Sequence, residues 1–395
     1  MITVSEAEKL ITDNCNQKEI TERSLCSASG FVLAADAHAL YDVPSFHNSA
    51  MDGYAFCFNG ENLFEIKGTI QAGSAAGFTV EPRQAVRIFT GAPIPTGTDT
   101  VAKQEITEIA NNQLKINSDK IRKGDNIRLR GSQCKAGDVI AKQGAWLTPG
   151  LIALLASAGI EKVKVFNIPS VAVIVTGNEL QPPGTPLHEN HIYNSNQPAI
   201  CAFLKMLGVE QMSFSHIADS LQLLSEAIRK ALQSYDMIIV SGGISAGDYD
   251  FVRPALLNNG VQQLFYKVKQ KPGKPLFAGY YLTADNTKKP VFALPGNPAA
   301  AISCMLRYVK PCILQRKGLQ NAWSDFKMLP LANSFSKISG LTLFAKVKPA
   351  GNKVWITGGQ ESFNLLPFSD CCGMAELPEN AETFSEGTLV KTYFW

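Results

Sequence analysis

The chain is short of most features that would announce a function at once. It has no Walker A motif, no dinucleotide G-x-G-x-x-G, no nucleophile elbow and no zinc-protease signature. No apolar run approaches the length of a membrane span. The opening MITVSEAEKLI lacks a charged-then-apolar targeting pattern, so a cytoplasmic protein is expected. A net charge of +3 is too small to argue for nucleic acid or a membrane surface as partner. Nine cysteines, an odd number with no paired metal spacing, fit reduced thiols better than a disulfide framework. His188 and His191 form an H-x-x-H in a Pro/Gly loop, without cysteine partners or a helical frame to make a metal site. What remains is a 395-residue chain, 45% hydrophobic, too long for one ordinary core and divisible into two to four domains.

Texture along the chain suggests where the divisions fall. Ser5-x-x-Glu8 reads as a capping box opening an amphipathic helix, and residues 18–28 read as a second helix. Residues 44–137 switch to short β-type runs (64–70, 85–90, 101–109) separated by turn-rich pieces and an NNQ hairpin signal. Thr148-Pro149 caps a further helix that stops at Gly159. From about residue 165 strands and helices alternate, which predicts a doubly wound parallel sheet. Beyond about residue 325 the helical signal ends, and half-buried strand patterns predict a β-sandwich or barrel. The expected division is a helical linker domain (1–43 and 138–165), an inserted β domain (44–137), an α/β domain (166–318) and a C-terminal β-barrel domain (319–395).

Within the α/β region, three short apolar strands end in glycine turns: Thr176-Gly177-Asn178, Ser241-Gly242-Gly243 and Pro295-Gly296-Asn297. Ligands bind at the carboxyl edge of such sheets, so these turns should converge on one crevice suited to an anion. Glu179, Asp219, Asp248 and Asp250 follow or flank them, a set of carboxylates suited to Mg2+ or to proton transfer. Lys271 and Lys274 lie in a stretch stiffened by prolines, and two cations at fixed spacing suit phosphate or another oxyanion. The residues alone reach an α/β protein that binds a phosphorylated ligand together with a divalent cation.

Read together, the strings resemble one family. PSFHNSAMDGYAF (44–56), FTGAPIPTG (89–97), NIRLRG (126–131), VTGNEL (175–180), IYNSN (192–196), SGGISAGDYDF (241–251), KPGKP (271–275) and LPGNP (294–298) occur in the order seen in the molybdopterin molybdenumtransferases, which include the E domain of gephyrin. The resemblance implies an elongated homodimer of four-domain subunits, with the cleft between the sheet domain of one subunit and the inserted domain of the other. It implies a reaction of adenylated molybdopterin with molybdate and Mg2+, releasing AMP. Encounters with the pterin adenylyltransferase and with molybdoenzyme acceptors are implied too.

Residue roles follow from the resemblance position by position. Asp52 resembles a catalytic acid facing across the cleft, with Thr90, Gly91 and Arg128 on the same wall. Thr176, Gly177, Ser241, Gly242, Gly243 and Ser245 resemble the pterin-phosphate and nucleotide cradle, with Asp248 beside it and Pro295, Gly296, Asn297 and Pro298 completing it. Glu179 and Asp250 match essential acids and Asp219 a third, the three forming the expected Mg2+ set. Lys271, Gly273, Lys274, Ser362 and Lys346 match the molybdate pocket, the lysines of KPGKP acting in catalysis. Three departures weaken the molybdate side: Gln133 where an acid is expected, Ala300 where a serine is usual, and Lys346 where an arginine is usual. Two other readings stay open: a non-enzymatic or weakly active paralogue that binds molybdopterin or scaffolds partners, and a pterin adenylyltransferase.

Overall fold

The computed structural model describes residues 1–15, 20–74, 77, 79–244 and 250–395. The strands with the most continuous apolar sequence form the centre of the molecule. Val171–Thr176 and Met237–Ser241 are buried at every position, because helices cover both faces of their sheet. That sheet has six strands in the order Met212–Ile217, Val171–Thr176, Met237–Ser241, Lys288–Leu294, Pro275–Leu282, Gln262–Lys267. One face packs on the helices Asn196–Met206, Val4–Asn14 and Pro298–Cys304, the other on Leu221–Ser234 and Val252–Asn258.

The expectation of a parallel sheet fails at one strand, with five of the six running in one direction. Pairings among the first four are parallel, but Pro275–Leu282 runs antiparallel to both of its neighbours. The cause is local. Only a short turn, with Asn286 at φ 63°, joins Pro275–Leu282 to Lys288–Leu294, and a connection that brief can make a hairpin but not a crossover. The sheet is therefore mixed.

The N-terminal region departs further from expectation. The first helix starts two residues early: Glu6 N donates to Thr3 Oγ1 and Thr3 N to Glu6 Oε2, so the capping box is Thr3/Glu6 rather than Ser5/Glu8. Its buried stripe of Val4, Ala7 and Ile11 joins the core of the sheet domain, so this helix is not part of a separate linker. The second helix expected over residues 18–28 is instead a strand, Ile20–Ser24, followed by a single 3-10 turn, Leu25–Ser27; residues 18 and 19 lie outside the described residues. Antiparallel pairing of Ile20–Ser24 with Lys162–Phe166 outweighs the helical propensity of that stretch. The Thr148 cap is as expected: its hydroxyl accepts from Leu151 N at the start of Pro149–Ser157. That helix packs Leu155 among Leu25, Phe31, Leu33, Leu147, Val163 and Val165, giving a small core of one helix on short strands.

The inserted unit is a six-stranded sheet in which Gly53–Phe56 lies between Gln84–Ile88 and Thr100–Lys103, and the NNQ signal becomes a hairpin with Asn111 and Asn112 at positive φ. Gly53 is required by space. A Cβ there would stand 1.9 Å from the Ala102 carbonyl oxygen, so Gly53→Ala should cost about 3 kcal/mol or more by forcing strands apart, read as a lowered urea midpoint. The C-terminal unit closes on itself. Lys327–Pro330, Leu389–Phe394, Gly373–Leu377, Thr342–Ala350 and Lys353–Ile356 pair in sequence, and a bridge between Leu331 and Val354 joins the last to the first. Gln270–Lys271 adds to the outer edge of Thr342–Ala350, tying the KPGKP segment to this barrel. Among the described residues no helix is long and apolar enough to cross a membrane.

Candidate active site

Three parallel strands end side by side, with Val175 opposite Ser241 and Ser241 opposite Leu294, so the three glycine turns begin at one level. They line a cleft of about 590 Å³ with Thr176, Gly177, Glu179, Asp219, Ser241, Gly242, Gly243, Asp250, Gly296, Asn297 and Pro298 on its wall. Close approach makes Gly242 obligatory: its φ is +102°, and a Cβ would lie 2.3 Å from the Thr176 carbonyl oxygen. Asn196 clamps the turns together. Its buried Nδ2 donates to Ser241 Oγ at 2.9 Å and to the Gly296 carbonyl at 2.8 Å, while its Oδ1 is left without a donor.

The acids on this wall differ sharply in environment. Both carboxylate oxygens of Asp219 accept hydrogen bonds, from the Thr176 hydroxyl and from Asn178 N, so it braces the first turn. Glu179 is exposed. Asp250 accepts from the Tyr266 hydroxyl at 2.8 Å through Oδ2, while its buried Oδ1 has no hydrogen-bond partner among the described residues. Burial pushes the Asp250 carboxyl above the usual carboxylate range, against the pull of Tyr266 and Arg253. Tyr266, which also reaches the Ile244 carbonyl at 2.7 Å, is pushed up to about 12 by burial and by the Asp250 charge. The three acids share the cleft without converging: among the described residues no cluster of three acid, histidine or cysteine side chains is poised to hold a metal. The expected Mg2+ set is thus not preformed, because Asp219 is committed to its own turn and Glu179 stands in solvent. Ser245 and Asp248 lie outside the described residues.

Beside the cleft, KPGKP, LPGNP and the Ser362 loop meet. Gly273 packs where a Cβ would sit 3.6 Å from the Ala300 carbonyl, and Asn297 Nδ2 donates to Ser362 Oγ at 3.4 Å. Lys271 and Lys274 are exposed on this side, and Pro295 is buried behind the turn. Lys346 is placed otherwise than a molybdate ligand would be. It is 1% exposed, and its ammonium donates to the carbonyls of Gly359, Glu361 and Asn364 at 2.8, 3.1 and 2.6 Å, so its three protons are already taken.

The remaining expected residues gather on the inserted domain. Asp52 Oδ1 accepts from both the backbone N and the hydroxyl of Thr90, each at 2.8 Å, and the first of these bonds chiefly holds its carboxyl below the usual range. A depressed carboxyl favours the fold above its unfolded pKa, and that contribution is lost as pH falls through the folded value. Thr90→Val should move the Asp52 titration upward, toward the ordinary range, as followed by carboxyl-carbon NMR. Gly91, at φ +82°, donates to the Ser49 carbonyl, and exposed Arg128 pairs with Asn48 across a short ladder. Among the described residues, none of 44–137 lines the cleft.

Two residues at the site had no assigned role in the sequence reading, Asn196 and Tyr266. Asn196 lies in the IYNSN string, where an asparagine opening a helix was signal enough to look for a clamp. Tyr266 stands in an ordinary strand pattern and gives none.

Comparison with known proteins agrees with this geometry. Residues 2–159 match the family described as MoeA N-terminal region (domain I and II), and residues 172–315 match the probable molybdopterin binding domain. A Staphylococcus epidermidis protein named molybdopterin molybdenumtransferase is 33% identical over 401 residues, covering 98% of this chain and 94% of the relative. A Nostoc protein of the same name is 37% identical over 399 residues, covering 95% and 88%. The crystal structure of a molybdopterin biosynthesis MoeA protein from Pyrococcus horikosii superposes with a TM-score of 0.80 at 27% identity, covering 100% of this chain and 99% of that one. The chain belongs to the MoeA family, the molybdopterin molybdenumtransferases, enzymes of molybdenum cofactor biosynthesis.

Proposed function

We propose that this chain binds adenylated molybdopterin in the cleft at the strand ends, takes molybdate beside it, and releases AMP as molybdenum joins the pterin dithiolene. The observation that carries this is the junction of the three glycine turns with a buried oxygen of Asp250 that has no partner among the described residues. Backbone N–H groups of the turns and the Ser241 hydroxyl, which only accepts from Asn196, suit the phosphate portion of the substrate, while the Thr176 hydroxyl is spent on Asp219. Lys271, Lys274 and Ser362, next to Asn297, suit a tetrahedral oxyanion.

Mg2+ fits the donors present, since it takes one or two carboxylates and completes its shell with water and substrate phosphate. Asp250 and Glu179 would hold it, and when bound it would neutralise charge on the phosphoanhydride. Asp250 is then oriented by Tyr266, and Asp219 keeps the first turn in shape rather than serving as a ligand. The working form is a cytoplasmic homodimer in which Asp52 of the partner subunit closes the cleft. Support comes from the cleft wall, on which no described residue of the inserted domain of the same chain lies.

The test is direct. Purified protein is incubated with adenylated molybdopterin, Mg2+ and molybdate, and AMP is followed by chromatography. Molybdate-dependent AMP release is expected, and a folded protein that releases none would overturn the reading.

A further inference from the structure

Lys346 presents a problem of its own: a charged side chain sealed in the protein and answered by carbonyl oxygens and the face of Phe368, with no carboxylate hydrogen-bonded to it among the described residues. Burying an ammonium is costly unless its protons are all used, and here each has an acceptor on one segment, at Gly359, Glu361 and Asn364. The main chain of the same residue binds that segment again. Lys346 N donates to Gln360 Oε1 at 2.9 Å, and its carbonyl accepts from Gln360 Nε2 and from Thr357 N, each at 3.1 Å. Residues 357–364 are therefore wrapped around a single residue of the barrel. Ser362 lies inside that arc, between two of the gripped carbonyls, with its hydroxyl 3.4 Å from Asn297 Nδ2 at the cleft wall.

We infer that Lys346 is a positioning residue, which holds residues 357–364 so that Ser362 stands beside Asn297, and does not touch the oxyanion itself. The role assigned to Ser362 rests on the transferase reading; the grip on the loop does not. Arginine is no substitute in this role. Its guanidinium is planar and spreads its donors along a fork, whereas three carbonyls converging on one point need a tetrahedral ammonium.

Two variants test the inference without relying on each other. Lys346→Met removes the ammonium, and Gln360→Ala removes the second grip without altering any charge. Hydrogen exchange of amides 357–364 should quicken about tenfold in both, with the rest of the barrel unchanged. In turnover, both variants should raise the molybdate concentration for half-maximal AMP release about tenfold, with turnover at saturating molybdate within about twofold of wild type. Lys346→Arg should share the defect. Ser362→Ala placed on Lys346→Met should add less than about twofold, because the hydroxyl has already lost its position. If Lys346→Met does not fold, Gln360→Ala and Lys346→Arg decide the matter. Unchanged exchange in the folded variants would overturn the inference, as would a normal molybdate requirement in Lys346→Arg or full additivity with Ser362→Ala. The exchange measurement needs no turnover, so its failure counts against the grip, whereas a wild-type protein silent in AMP release counts against the transferase reading.

Discussion

Alanine in place of Asp250 is expected to lower AMP release by about 10³-fold while the protein still folds and binds the pterin nucleotide. The carboxylate meets the requirements of a working group at this site. One oxygen is held by Tyr266, the other is buried beside the glycine turns with no donor among the described residues, and burial already disfavours its charge. A group kept in that state serves no stabilising purpose, because an unsatisfied buried acceptor costs about 1–3 kcal/mol. Asp250→Ala should therefore leave the unfolding temperature unchanged or raise it, separating lost chemistry from lost fold. Asp250→Asn, which keeps the shape but not the charge, should be nearly as inactive. Tyr266→Phe, which removes the orienting bond together with the one to the Ile244 carbonyl, should lose about tenfold. Turnover by Asp250→Ala close to wild type would remove the assignment.

The site was legible in the sequence wherever backbone geometry makes it. A glycine turn after a short apolar strand is forced by sterics, as at Gly242, where no Cβ can enter. Three such turns in one alternating region must lie along one sheet edge, and they do. Side-chain commitments were not legible. Asp219 and Asp250 are the same residue type in similar contexts, yet one is consumed by Thr176 and Asn178 and the other keeps a bare oxygen. That difference depends on residues some forty positions away. Lys346 shows the same limit: its charge suggested an anion, but its partners are three carbonyls of a loop that only the folded barrel brings to it.

For the fold, the legible parts were those specified by local patterning, such as the Thr148 cap and the NNQ hairpin. Misreadings came from pairing partners distant in sequence. Ile20–Ser24, expected to be helical, lies against Lys162–Phe166, and the edge at Gln270–Lys271 is claimed by a strand some seventy residues later. Pro275–Leu282 runs antiparallel because of the turn that follows it, a local signal that the alternating rhythm of the region obscured.

Mixing two inactive variants should restore activity. Asp52 and Thr90 are bonded to each other on the inserted sheet, yet no described residue of that domain lines the cleft that holds Asp250. A catalytic Asp52 must then reach a cleft belonging to a second copy, and a two-fold dimer would give each cleft one wall from each subunit. Asp52→Ala alone should be nearly inactive in both clefts, as should Lys274→Ala. In a heterodimer of the two, one cleft inherits both defects and the other inherits neither. Random exchange of subunits yields heterodimers as about half of the population, so activity should recover to about a quarter of wild type. Differently tagged subunits purified as heterodimers should reach about half. Heterodimers shown to form by tandem affinity, yet no more active than their parents, would place Asp52 outside the reaction and leave the cleft to a single chain.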